Sequence, residues 1–163
     1  MTAPAQSFNT ASASQAEKDI ALLNACSKGN TIAEIKDLLQ QGANPNTTGE
    51  NGADCLLMAV LSRNENAVIE LLAHKANPNY AGFKLGKTAL MWAAHMGQRE
   101  NVIRMLDAGA DPLLTAENGM NAADWADDNR KIAVRETIRD FIHDREQAAV
   151  AAEKAAAEKA EAD

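Results

Sequence analysis

The phrase GANPN at residues 42–46 returns as KANPN at 75–79 and as GADPL at 109–113, so the chain repeats itself at spacings of 33 and then 34 residues. A fixed period of this size constrains the fold more than local propensity does, because one such unit cannot bury its apolar face alone and must stack on its neighbours. With residues 52–80 set above 86–113, apolar positions coincide: Leu56 with Leu90, Met58 with Trp92, Ala59 with Ala93, Val68 with Val102, Ile69 with Ile103, Leu71 with Met105 and Leu72 with Leu106. Residues 119–142 carry a more polar copy, and residues 16–46 a copy whose front differs.

Each copy holds two apolar-periodic segments of roughly nine residues, which predicts two short helices. Asp54, Thr88 and Asn121 share one register at the start of the first helix. All three are good N-caps, their side-chain oxygens able to accept from the free N–H groups of the first turn. Ile20 holds that place in the first copy and cannot cap, but Ser14 and Glu17 upstream form a capping box. The first helix is therefore expected to be longer, from about 15 to 27. Gly29, Arg63, Gly97 and Arg130 mark a tight turn that sets the two helices antiparallel. Gly42 and Gly109 then stop the second helix. Lys75 takes the same place, where a side chain costs on the order of 1 kcal/mol. Pro45, Pro78 and Pro112 cannot continue a helix, and the polar stretches 47–53, 80–87 and 114–120 bring the chain back.

The unit is helix, turn, helix, projecting loop. The run GKTALMWAAHMG at 86–97 resembles the ankyrin-repeat pattern G-x-T-P-L-H-x-A-A-x-x-G, and VIRMLDAGADP at 102–112 resembles that family's second helix and its Gly-Ala-Asp ending. The resemblance covers about 15–143. It implies an all-α fold, an ankyrin-type helix–turn–helix–loop solenoid with a C-terminal helical tail. The repeats are expected at 15–46, 47–80, 81–113 and 114–143, the outer two acting as caps that close a complete short solenoid. Residues 1–14 are read as a disordered leader and 144–163, rich in Ala, Glu and Lys, as a helical tail. The family's Thr-Pro-Leu-His is TALM at 88–91, DCLL at 54–57 and NAAD at 121–124. Its histidine ties neighbouring loops together, so its absence predicts looser coupling between repeats.

The net charge of −7 argues against nucleic acid as a partner. No apolar run reaches the ~18 residues of a membrane span. The N-terminus lacks a basic start and an apolar segment, so it is no secretory signal. Cys26 and Cys55 are read as buried reduced thiols, with a disulfide as the alternative. These points predict a cytoplasmic monomer. His74, His95 and His143 fall in different repeats, too scattered for a metal site. No phosphate loop follows a strand, so no cofactor is expected. Cys26 sits where small residues pack, and Asp124, Asp127 and Asp128 read as a solvated face. No catalytic residue is assigned, and the chain is expected not to be an enzyme.

The resemblance implies a binding face built from loop tips and the exposed side of the first helices, for which another protein is the expected partner. Carried over residue by residue, this face includes Glu50, Asn51, Leu61, Lys84, Leu85, Lys87, His95, Met96 and Met120. Tyr80 and Phe83 on the YAGFKLGK loop join them, because aromatic anchors commonly dominate interfaces; both could instead fold back and pack locally. Trp92 and Trp125 share a register facing the next repeat and read as core. His95 reads as a surface histidine or as part of the face. The leading expectation is a non-catalytic protein-binding module, an adaptor or a stoichiometric inhibitor. The alternative is a scaffold whose Ala-rich tail is the functional arm.

Overall fold

The computed structural model describes residues 13–29 and 32–162. The reading of a disordered leader therefore lies almost wholly outside the described residues. Eight helices form among those described: α1 Gln15–Ser27, α2 Ile32–Gln40, α3 Cys55–Leu61, α4 Glu65–Ala73, α5 Ala89–His95, α6 Arg99–Asp107, α7 Ala122–Asp128 and α8 Ile132–Ala162. The fold is all-α. Two isolated antiparallel bridges, Thr48 with Asp54 and Phe83 with Lys87, pinch the loops into small hairpins.

The helices start where their caps dictate. Ser14 and Glu17 form the reciprocal capping box of α1. Asp54 accepts from the Leu57 nitrogen at 2.8 Å, Thr88 from Met91 at 3.3 Å, and Asn121 from both Ala123 and Asp124. The turns within each pair pass through the left-handed region at one register: Gly29 at φ 64°, Arg63 at 55°, Gly97 at 71° and Arg130 at 55°. The helix ends do so at Gly42, Lys75 and Gly109, Lys75 with φ 66°. Glycine takes this conformation without steric cost; the arginines and Lys75 do not.

The helices stack in two layers. The inner layer runs α1, α3, α5, α7 and the outer layer α2, α4, α6, α8, each element against its neighbours in the layer and against its own pair. The core between them is aliphatic, with Leu22, Ile35, Leu56, Leu71, Leu90, Met105 and Ile138 completely or almost completely buried. Each such side chain contributes about 1.5–3 kcal/mol by leaving water. The front of α8 joins this core through Val134 and Ile138, with Phe141 and Ile142 packed beside it. From His143 through Glu161 the helix is exposed.

Successive repeats are coupled by the repeated phrase itself. The Asn46 side-chain oxygen accepts from the Asn77 nitrogen at 2.7 Å while its amide donates to the Lys75 carbonyl at 3.4 Å. Asn79 repeats this one unit on, accepting from the Asp111 nitrogen at 2.7 Å and donating to the Gly109 carbonyl at 3.2 Å. In the first unit Asp19 accepts from the Asn44 nitrogen and Gln15 donates to the Gly42 carbonyl. Where the family's histidine is missing, the asparagines after Pro45 and Pro78 supply contacts between successive phrases. The tips also touch: a Cβ placed on Gly52 would lie 2.2 Å from the Gly82 carbonyl oxygen, and the Glu117 nitrogen donates to the Leu85 carbonyl at 2.9 Å.

Candidate functional site

The three loops share a register but not a composition. Glu50, Lys84 and Glu117 are equivalent, as are Asn51, Leu85 and Asn118, then Gly52, Gly86 and Gly119, then Ala53, Lys87 and Met120. The glycines have φ 77°, 64° and 80° and turn the chain. Before them, Asn51 accepts from the Ala53 nitrogen at 3.1 Å and Asn118 from the Met120 nitrogen at 3.2 Å. These bonds close their own loops, as asparagine side chains do in turns. Leu85 can make no such bond. It nonetheless takes φ 62° and stands 52% exposed. A bulky residue in the left-handed region is a backbone outlier.

Beneath this tip lies a row of rings on the inner layer. The ring centroid of Phe83 is 6.1 Å from that of Trp92, Trp92 is 5.8 Å from His95, and His95 is 5.9 Å from Trp125. The histidine meets both tryptophans edge to face, a favoured aromatic geometry. Its Nδ1 lies 2.7 Å from the Asn129 amide nitrogen, which also donates to the Trp125 carbonyl at 2.9 Å. An amide donor there leaves the neutral imidazole proton on Nε2.

The Lys87 ammonium is 3.5 Å from the Trp125 ring centroid and 4.6 Å from that of Trp92, while Lys84 places its own 5.3 Å from Phe83. Such contacts are electrostatic attractions between a cation and the ring faces. Lys87 is only 9% exposed, and burial lowers its pKa by disfavouring the charged form.

The candidate residues therefore divide. Lys84 and Leu85 are exposed at the middle tip, and Glu50 and Asn51 at the tip before it. Glu50 and Asn51 border an open cleft of about 380 Å³ shared with Leu23, Asn24 and Met58. Phe83, His95, Met96, Met120, Leu61 and Tyr80 are half-buried. Met96 and Met120 pack against the core. Tyr80 turns back over its own loop, its hydroxyl occupying the space a Cβ on Gly82 would need. The exposure expected for Lys87 is corrected: the loop register suggested an open tip, but its side chain runs inward against two indoles. Trp92 and Trp125 belong to this row as well as to the core, and Asn129 orients the histidine between them. The signal for it was present, since Trp92 and Trp125 lie 33 residues apart and the basic residue precedes Trp92 by five; what was missing was the direction of each side chain.

Among the described residues no group of three His, Cys, Asp or Glu is placed to hold a metal ion, and no helix is long and apolar enough to cross a membrane. Both cysteines are free and buried. Hydrogen bonding with Cys26, followed by burial, pushes the Cys55 thiol pKa up. That is the reverse of what a nucleophilic cysteine requires.

The paired helices, the two layers and the loops projecting at a period of 33 or 34 residues define a helical-repeat protein. A family model for ankyrin repeats in 3 copies matches residues 12–116, and the chain belongs to the ankyrin-repeat family. The pair α7 and α8 continues the stack beyond that match. Among known proteins it is similar to a mitochondrial disaggregase of Bos taurus, 30% identical over 151 residues covering 71% of this chain and 22% of the relative. The mitochondrial disaggregase of Homo sapiens is 40% identical over 68 residues, 42% of this chain and 10% of the relative. An inactive serine/threonine-protein kinase TEX14 of Bos taurus is 31% identical over 99 residues, 61% of this chain and 6% of the relative. The chain thus spans less than a quarter of the length of each. Ankyrin repeats generally mediate protein–protein interaction, and the domain is a non-catalytic binding fold.

Proposed function

We propose that this chain is a stoichiometric protein-binding module that acts by occupying a partner's surface, as an inhibitor or an adaptor, through the loop 80–87 and the inner-layer rings beneath it. One observation carries the reading. Where the flanking loops place Asn51 and Asn118, which close their own turns, the middle loop places Leu85, exposed and held at φ 62°. Turn chemistry alone would favour asparagine or glycine there. Strain kept at an exposed apolar residue is a pointer to function. The neighbouring tip charges support it, since Lys84 stands between Glu50 and Glu117 and makes the middle tip locally basic. The two buried free thiols suit a reducing compartment such as the cytoplasm.

A photo-crosslinking amino acid at position 85 tests the reading in extract from the source organism, with position 69 on α4 of the outer layer as control. A partner labelled from 85 and not from 69, and lost on Lys84→Glu, is expected. No labelling at 85, or equal labelling at both positions, would sink the idea. The second reading, a scaffold acting through its tail, is favoured by one fact: the helix from His143 through Glu161 is exposed along its length.

A further inference from the structure

Lys87 is out of place in its own repeat series. The equivalent residues are Ala53, 1% exposed, and Met120, half-buried against the core. An apolar side chain therefore fits that position in both neighbouring loops, and a lysine is not needed to build it. The lysine that stands there is 9% exposed, and among the described residues its side chain makes no ion pair or hydrogen bond; its ammonium instead lies against the faces of Trp92 and Trp125. The indole Nε1 atoms of those same tryptophans are buried without partners. His95, between the two tryptophans, already has its Nδ1 engaged by Asn129. One cluster thus holds an ammonium and two indole N–H groups, all donors, none of them hydrogen-bonded to another described residue. Buried donors ordinarily find acceptors, and each exception asks for an explanation.

We propose that Lys87 is the receptor for a single carboxylate, presented by an acidic side chain on a loop of the protein partner, with an adjacent apolar residue of that loop covering Leu85 and Phe83. This rests on the protein-binding reading above and specifies its chemistry. The two ring faces hold the ammonium in position before the partner arrives, so its side-chain entropy is already spent. The two indoles exclude part of the water around the ammonium, which strengthens a charge-assisted hydrogen bond relative to the same bond in open water. The chain's overall charge of −7 opposes acidic partners at long range. The site therefore selects by a local contact at Lys87, aided by Lys84 at the same tip, and not by a broadly basic surface.

The chain contains two tryptophans, both in this cluster, so two indole N–H resonances report on the site directly. The probe is an acetylated, amidated pentapeptide Gly-Leu-Glu-Leu-Gly titrated into the isotopically labelled full chain. The controls are its Gln counterpart, in which the carboxylate alone is lost, and inorganic phosphate. Both indole signals are expected to move saturably with the Glu peptide, with roughly tenfold weaker response to the Gln peptide, and with little response to phosphate at equal concentration. Lys87→Met should abolish the difference between the two peptides. It should fold, because methionine and alanine occupy the same register next door, and a thermal melt checks this. Equal response to Glu and Gln peptides, a Glu preference that survives in Lys87→Met, or phosphate matching the Glu peptide would each overturn the proposal. Loss of the peptide response with retained crosslinking at position 85 would overturn this site alone; loss of both would remove the binding face with it.

Discussion

The side-chain oxygen of Asn79 accepts a hydrogen bond from the backbone nitrogen of Asp111 at 2.7 Å, and the amide of the same side chain reaches the Gly109 carbonyl at 3.2 Å. One residue thereby satisfies a donor and an acceptor of the following repeat. Replacing it with alanine leaves both groups dependent on water. Asn79→Ala should destabilise the fold by about 2 kcal/mol, and Asn46→Ala, whose side chain is more exposed, by about 1 kcal/mol. Urea unfolding of each variant measures this; values near zero for both would mean that water replaces the ladder without loss.

Asp54 caps α3 but does so buried, at 3% exposure. Burial raises its pKa from 3.8 to about 6, prevailing over the cap hydrogen bond from Leu57, which lowers it. Between those values the folded state keeps a proton that the unfolded state has released. Stability therefore falls as pH rises through that window and is lowest, for this group, above it. Thr88 and Asn121 perform the same cap without a charge. Asp54→Asn should stabilise the chain at pH 7 by on the order of 1–3 kcal/mol, with the gain shrinking as pH falls from 6 toward 3.8. Melting curves at neutral and acid pH read the difference, and a gain independent of pH would place its cause elsewhere.

Lys75 holds φ 66° where Gly42 and Gly109 hold 87° and 93°. Lys75→Gly removes the steric cost of the left-handed conformation but adds chain entropy to the unfolded state. The two effects leave a net gain of about 0.5–1 kcal/mol. A thermal shift downward would show that the lysine stem supplies more than its strain removes.

Gly52 approaches the Gly82 carbonyl so closely that a Cβ would lie 2.2 Å from the oxygen, and its φ of 77° disfavours any side chain. Gly52→Ala should part the two loop tips and weaken partner binding more than it lowers the melting temperature. Hydrogen exchange across 49–53 and 80–87 would register the opening; unchanged protection would contradict it.

Truncation after Arg145 removes a helix segment that is exposed from Glu146 through Glu161. What remains beyond the core is the 4.0 Å ion pair of Arg145 with Asp111, between exposed side chains that contribute little. The truncated chain should melt within a few degrees of the full one. If it also keeps the crosslink from position 85, the tail is not the binding arm; loss of that crosslink would favour the scaffold reading.

Much of this was legible in the residues. Ser14 with Glu17, and Asp54, Thr88 and Asn121, announced their helices because capping is a local bond between a side chain and the backbone three residues on. Lys75 announced its strained turn by standing in a glycine register. Other features were not local. The ladder of Asn46 and Asn79 spans about one whole repeat, so its worth became visible only when consecutive phrases lay side by side. The loop register placed Lys87 at a tip without saying whether its four-carbon stem would reach outward or lie between two indoles from different repeats.

The sequence by itself determined the unit, its period, its caps and its stops, since each depends on contacts within a few residues of one another. The tertiary structure decided which side chains met across units: that Leu85 remained in water, that Tyr80 folded over Gly82, and that the ammonium of Lys87 came to lie against the faces of Trp92 and Trp125. Those outcomes depend on the angle and distance at which one repeat stacks on the next, which is set by the sum of all the packing in the core and by no single residue within it.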